Sequence, residues 1–137
     1  TNRELKPFSI ETMPYPDFPT DLQAIFTTLA CAIKGKSDIK ENIYPDRFSN
    51  VPELIRMGAD ITEEEASIII RGGKKLSGAD VQASDLRAGA ALVAAGAIAE
   101  GITNVHRIYH IERGYENLED KLNKINIKTK KEKDDIL

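Results

Sequence analysis

The sequence predicts an α/β fold, classed as α+β by some schemes, in which one unit occurs twice. Strand-like runs alternate with helical runs along the chain, as in βαβ crossovers with parallel strand pairs. In addition, "TDLQAIFTTLACAIKG" (20–35) matches "SDLRAGAALVAAGAIAEG" (84–101), and the likeness continues beyond both segments. We therefore expect a first unit over residues 1–74 and a second over residues 75–137, both within one domain.

The first unit is predicted to run strand, helix, strand, helix, strand. Thr20 and Gln23 form a capping-box pattern that begins the first helix. Gly58 suits the left-handed position that ends the second helix. In chain order the five elements are residues 8–12, 21–34, 37–44, 51–58 and 66–71.

The second unit is predicted to repeat this order. Ser84 is an N-cap candidate for its first helix, and Asn126 corresponds to Gly58 at the end of its second. Gly89 and Gly96 are expected to let the first helix pack closely in a crowded interior. The five elements are residues 79–83, 85–99, 103–110, 115–125 and 125–130.

Composition excludes several classes of function. The 137 residues suffice for one domain without a disulfide or a metal, and the net charge of −3 with a pI of about 5.4 argues against a nucleic-acid partner. The single cysteine, Cys31, lies on an apolar helix face and is expected to be buried and inert.

We also expect no cofactor, no metal and no membrane partner. His106 and His110 lack a second cluster of candidate metal ligands. The longest apolar stretch, residues 88–99, is too short for a bilayer span. A soluble cytoplasmic protein is the expectation.

Comparison of the two units isolates "PYPDFPT" as an insertion placed directly before Asp21. Each proline fixes its own φ and restricts the preceding residue, so this loop is stiff. Asp21 could simply interact with the dipole of the helix that it begins. Alternatively, the stiff loop holds its carboxylate in place for chemistry.

Asp21, Arg47, Asp85, Arg87 and Arg113 are expected at equivalent junctions of the two units. Guanidinium groups beside carboxylates at such junctions suit an anionic substrate, either a phosphate or a carboxylate. The alternative is that each arginine pairs with a neighbouring acid on a solvated surface.

Four segments resemble the C-terminal part of the bacterial UDP-N-acetylglucosamine enolpyruvyl transferases. They are "PYPDFPTDLQAIF", "ENIYPDRFSNVPELIRMGADI", "LSGADVQASDLRAGAALVAAGAIAEG" and "IYHIERGYENLEDKL". The resemblance implies an inside-out α/β barrel of βαβαββ units. It also implies transfer of the enolpyruvyl group of phosphoenolpyruvate to the 3-hydroxyl of UDP-N-acetylglucosamine, with release of phosphate, toward peptidoglycan, cell-wall growth and division.

The resemblance also implies roles for individual residues. Asp21 corresponds to the aspartate that contacts the sugar hydroxyl and is proposed as its general base, and Ile43 to an apolar position that touches the UDP-sugar. The positions implied to line the phosphoenolpyruvate and phosphate region are Arg47, Asp85, Leu86, Arg87 and Arg113.

The general-acid cysteine and the phosphoenolpyruvate lysine of the family match no position here, and Cys31 lies in a different motif. We therefore expect the chain to be inactive alone, to need the N-terminal domain of the same enzyme as partner, and to self-associate through an exposed core edge. Two alternatives stay open. One is a standalone UDP-sugar-binding or regulatory module, and the other is an RNA-processing relative with a similar unit, which the acidic pI disfavours.

Overall fold

The computed structural model describes residues 4–44 and 48–132. Its strands are β1 (Ser9–Glu11), β2 (Gly35–Lys40), β3 (Asp60–Glu64), β4 (Ser67–Gly72), β5 (Asp80–Gln82) and β6 (Asn104–His106). Its helices are α1 (Gln23–Ala32), α2 (Val51–Arg56), α3 (Leu86–Ile98), α4 (Tyr109–Glu112) and α5 (Leu118–Lys124), and a 3₁₀ turn (Thr20–Leu22) precedes α1.

Two parallel strand pairs organise the fold, each with a helix in its crossover. The pair β1 and β2 belongs to a four-stranded sheet of order β1-β2-β4-β3, in which the other neighbours are antiparallel. The pair β5 and β6 forms a second sheet, with Val81 opposite Val105. The predicted α/β class is confirmed, and residues 9–72 follow the order βαβαββ.

The core lies between the four-stranded sheet and the helices. Its fully buried side chains include Ile39, Val51, Leu54, Met57, Ile68, Ile70, Val81 and Leu92. Helices α1 and α3 pack against each other, and the Thr28 hydroxyl donates a hydrogen bond to the Ala91 carbonyl at 3.0 Å. This packing brings the beginnings of the two long helices to the same region.

The strand predicted over 37–44 was too long, because β2 ends at Lys40. The backbone amides of Ile43 and Tyr44 turn inward to the carboxylate of Glu41 instead of continuing the ladder. Strand β3 was missed, since only Ile61 of its five residues is buried and its glutamates are poor strand formers.

Two predictions for the second half were wrong. The strand predicted over 103–110 ends at His106, where Arg107 takes a left-handed φ of 59°, and α4 follows. Residues 125–130 form no strand in the part of the chain that the structure describes. Instead, the Thr129 amide donates to the Asn123 side chain at 2.8 Å, which folds this segment back onto α5.

The residues after α2 and α5 adopt the backbone conformation that the repeat predicted. Gly58 has φ 97° and Asn126 has φ 66°, so both occupy the left-handed region expected after a helix.

Among residues 4–44 and 48–132, no helix combines the length and apolar character of a membrane span.

Candidate active site

The candidate residues follow the carboxyl ends of the parallel strands. The loop after β1 leads to Asp21, the turn after β2 contains Ile43, and the segment after β5 contains Asp85. Open α/β sheets place ligand contacts at this edge. Arg47 lies outside the described residues.

The proline loop is fixed to the beginning of α1. The Met13 amide donates to the Phe18 carbonyl at 3.0 Å, which closes the loop. The Phe18 ring then meets the Phe26 ring edge to face, with centroids 5.0 Å apart. The loop before Asp21 is therefore closed by a hydrogen bond and packed against α1, while its role in holding the carboxylate for chemistry stays a prediction.

Asp21 and Arg87 are in direct contact. The Arg87 Nε donates to the Asp21 Oδ1 at 2.6 Å, although 66 residues separate them in sequence. Their side chains remain 62% and 38% exposed, so a ligand can reach both groups.

Asp85 stabilises the beginning of α3. It is itself the N-cap of α3, and its Oδ1 accepts a hydrogen bond from the Ala88 amide at 2.9 Å. The assignment of Ser84 as N-cap was wrong, since its hydroxyl lies 2.8 Å from the hydroxyl of Ser49. This contact joins the segment after Arg47 to the segment before Asp85.

Arg113 ends α4 and does not lie at a strand end as predicted. Its guanidinium lies 6.0 Å from the Tyr109 ring centroid, while the neighbouring Glu112 pairs with Lys131. The adjacent Gly114 lets this loop approach α3, because a Cβ there would lie 2.7 Å from Leu86 Cδ2. Arg113 therefore belongs to the loop that contacts the beginning of α3.

Glu41 is a residue that sequence reasoning missed. It is 1% exposed, and its Oε1 accepts from the Thr20 hydroxyl at 2.8 Å and from Gln23 Nε2 at 3.4 Å. The predicted capping box was therefore wrong, because both side chains turn to Glu41 and neither caps α1. An acid immediately after a strand of alternating pattern was the only signal available.

The surroundings of Glu41 and of Cys31 shift the pKa of each group. Burial by itself disfavours the charge on Glu41, but hydrogen bonds from Thr12, Thr20 and the amides of Ile43 and Tyr44 outweigh it and lower its pKa. Burial raises the pKa of the Cys31 thiol to about 11, so this cysteine is an unreactive core residue.

The arrangement offers one accessible carboxylate with a guanidinium beside it. Such a pair can take a proton from a hydroxyl and favour the departure of an anion. Among the described residues, no cluster of three or more histidine, cysteine, aspartate or glutamate side chains could hold a metal ion.

The fold is that of an enolpyruvyl transferase. The crystal structure of the enolpyruvyl transferase NikO from Streptomyces tendae matches 90% of this chain and 29% of that chain, with a TM-score of 0.81 and 28% identity. EPSP synthase from Acinetobacter baumannii shares the fold at a TM-score of 0.74 and 19% identity, over 81% of this chain and 28% of that one. The family model of EPSP synthase (3-phosphoshikimate 1-carboxyvinyltransferase) matches residues 1–122, and the chain belongs to this family.

Curated relatives within this family carry a more specific name. UDP-N-acetylglucosamine 1-carboxyvinyltransferase of Elusimicrobium minutum is 55% identical over 121 residues, which is 88% of this chain and 29% of the relative. The enzyme of the same name from Aeromonas hydrophila is 56% identical over 122 residues, covering 89% of this chain and 29% of the relative. The chain thus spans less than a third of these relatives.

Proposed function

We propose that this chain forms the part of the active site that contains Asp21 in a UDP-N-acetylglucosamine 1-carboxyvinyltransferase. In this reaction the enolpyruvyl group of phosphoenolpyruvate moves to the sugar 3-hydroxyl and phosphate leaves. The product serves peptidoglycan synthesis in the cytoplasm, and hence cell-wall growth, cell shape and division. The observation that carries the proposal is the direct Asp21–Arg87 contact in a chain 55% identical to enzymes of that name.

The geometry suits a division of labour. Asp21 takes the proton of the 3-hydroxyl, and Arg87 holds the carboxylate in place through its Nε hydrogen bond. We assign Arg47, Arg113 and the Asp85–Leu86 segment to the phosphate region, where cations stabilise the departing anion. Ile43 contacts the UDP-sugar.

We assign residues 1–74 and 75–137 to two units of one domain, and the remaining catalytic groups to sequence outside this chain. Those groups are the general-acid cysteine and the phosphoenolpyruvate lysine of the family. The partner of this chain is then the rest of the enzyme, and no nucleic acid or membrane is required.

A chimera tests this proposal. The matching 121-residue stretch of the Elusimicrobium minutum relative is replaced by this sequence, and phosphate release from phosphoenolpyruvate is measured with UDP-N-acetylglucosamine. We expect an active chimera that loses about 100-fold or more of its kcat with Asp21→Asn. Asp17→Asn is the matched control, because Asp17 is an exposed carboxylate of the same proline loop.

Two results would count against the proposal. One is an inactive but folded chimera, and the other is an Asp21→Asn chimera as active as the Asp17→Asn control. Tight, Asp21-dependent binding of UDP-N-acetylglucosamine by the 137-residue chain, together with an inactive chimera, would favour the standalone binding module.

A further inference from the structure

The buried carboxylate of Glu41 connects two segments that flank the proposed sugar site. Its two oxygens serve different partners. Oε1 accepts from Thr20, in the 3₁₀ turn that contains Asp21, and from Gln23, the first residue of α1. Oε2 accepts from the amides of Ile43 at 3.0 Å and Tyr44 at 3.2 Å, and from the Thr12 hydroxyl at 2.6 Å.

We propose that Glu41 is a positioning residue, which holds the Asp21 turn and the Ile43 backbone in one fixed relation to each other. This inference rests on the proposed function, since Asp21 and Ile43 are the residues assigned to the sugar.

The surroundings of Glu41 are suited to rigidity. At 1% exposure the carboxylate is shielded from water, so each hydrogen bond to it is stronger than on the surface. The Glu41 amide also donates to the Ala66 carbonyl at 2.8 Å, which ties the residue to the hairpin of β3 and β4. Side chain and backbone are therefore both anchored.

Each partner group is specific to one side of the site. Thr20 is the neighbour of Asp21, so loss of its bond to Oε1 loosens the turn that presents the carboxylate. The N–H groups of Ile43 and Tyr44 point inward and donate to Oε2. Loss of these two hydrogen bonds therefore frees the turn after β2. A charge-bearing acceptor with two oxygens is required, because a glutamine presents only one acceptor oxygen and an NH₂ group.

Kinetics of the chimera described above separates positioning from stability. We expect Glu41→Gln to lower kcat/KM about 10- to 100-fold while the protein stays folded. Glu11→Gln is the matched control, since Glu11 is an exposed carboxylate at the same sheet edge that bonds Asn42 at 2.6 Å, and it should change kcat/KM by less than about twofold.

A pair of threonine variants isolates the Asp21 side. Thr20→Val and Thr12→Val each remove one hydroxyl that donates to Glu41, but only Thr20 adjoins Asp21. We expect Thr20→Val to lower kcat more than Thr12→Val does. A wild-type kcat for Thr20→Val, or a wild-type kcat/KM for folded Glu41→Gln, would overturn the proposal.

Hydrogen exchange on the 137-residue chain provides a readout independent of catalysis. In Glu41→Ala we expect the Ile43 and Tyr44 amides to exchange about tenfold faster, while amides of the β3–β4 ladder keep their rates. Unchanged exchange at Ile43 and Tyr44, or an equal increase at every amide, contradicts a positioning role. If Glu41→Ala does not fold, the threonine pair decides.

The two proposals fail in different ways. An Asp21→Asn chimera that remains active removes the proposed function. An Asp21→Asn chimera that is inactive beside a fully active Glu41→Gln chimera removes only the role of Glu41.

Discussion

The guanidinium Nε of Arg87 lies 2.6 Å from the Oδ1 of Asp21, and this ion pair links the turn before α1 to the beginning of α3. The two residues come from corresponding segments of the repeat, "TDLQA" and "SDLRA". The corresponding Asp85 does not make the same contact, because it caps its own helix. One copy thus supplies an exposed carboxylate and the other supplies the cation beside it.

This ion pair should contribute little to stability. Both side chains are partly exposed, so a double-mutant cycle with Asp21→Asn and Arg87→Gln should give a coupling energy below about 1 kcal/mol in urea unfolding. The same Asp21→Asn substitution should abolish most activity in the chimera. A coupling energy of several kcal/mol would show that the pair is mainly structural.

Asp85, in contrast to the Asp21–Arg87 pair, should contribute measurably to stability. Asp85→Ala removes the acceptor for the Ala88 amide and should lower the free energy of unfolding by about 1 kcal/mol. Asp85→Asn keeps a capping oxygen and should retain most of this stability while removing the charge. Urea unfolding of both variants measures the cap, and equal losses would mean that the charge and not the cap is responsible.

Gly72 marks a close approach between β4 and the end of α1. A Cβ there would lie 2.1 Å from the Ala30 carbonyl oxygen and 2.2 Å from that of Ile33, and neither backbone group can move freely. Gly72→Ala should therefore lower the free energy of unfolding by about 3 kcal/mol. Gly96→Ala is the control.

A Cβ at Gly96 would lie 3.2 Å from Thr103 Cβ, a contact that a small shift relieves. The higher helix propensity of alanine also offsets part of the cost, so the change should stay within about 1 kcal/mol. Similar losses for Gly72→Ala and Gly96→Ala would refute the steric argument.

The elements that the sequence predicted well are those with strong local signals. Helix α3 begins at an acid and contains a long alanine-rich run, and the helix ends at Gly58 and Asn126 depend on residues that tolerate a positive φ. The parallel pairing of β1 with β2 followed from the crossover length. The helix and its ends are encoded within a few residues of where they occur, and the strand pairing follows from the length and order of the elements between the strands.

The elements that were predicted wrongly from the sequence depend on contacts with residues far along the chain. "RIYH" has strand-forming residues, but the chain turns at Arg107 and α4 begins at Tyr109, where Ile111 packs against Gly89 of α3. Thr20 and Gln23 have the pattern of a local cap, yet a buried acid 21 residues beyond Thr20 captures its hydroxyl. Local patterns cannot show when a tertiary partner competes for the same donor.

Cys31 should be almost unreactive in the folded chain. With a pKa of about 11 and 3% exposure, it presents about one part in a thousand as thiolate near pH 8. A thiol reagent should therefore label the native chain slowly and the urea-unfolded chain stoichiometrically, with Cys31→Ser as the blank. Rapid stoichiometric labelling of native protein would contradict the buried assignment.

The stability of the chain should depend on pH through Glu41. Its pKa is lower in the folded chain than its ordinary value of 4.5, so the folded state holds this proton less tightly than the unfolded state. The contribution of Glu41 is therefore complete above its ordinary pKa and is lost as the pH falls through the lower folded value. Between about pH 7 and about pH 3, the wild type should lose more free energy of unfolding than Glu41→Gln, which has no proton to gain.

Urea unfolding at both pH values measures the difference, with Glu11→Gln as the exposed control. Identical losses in wild type and Glu41→Gln would mean that the hydrogen bonds from Thr12, Thr20 and the turn after β2 do not favour the ionised carboxylate.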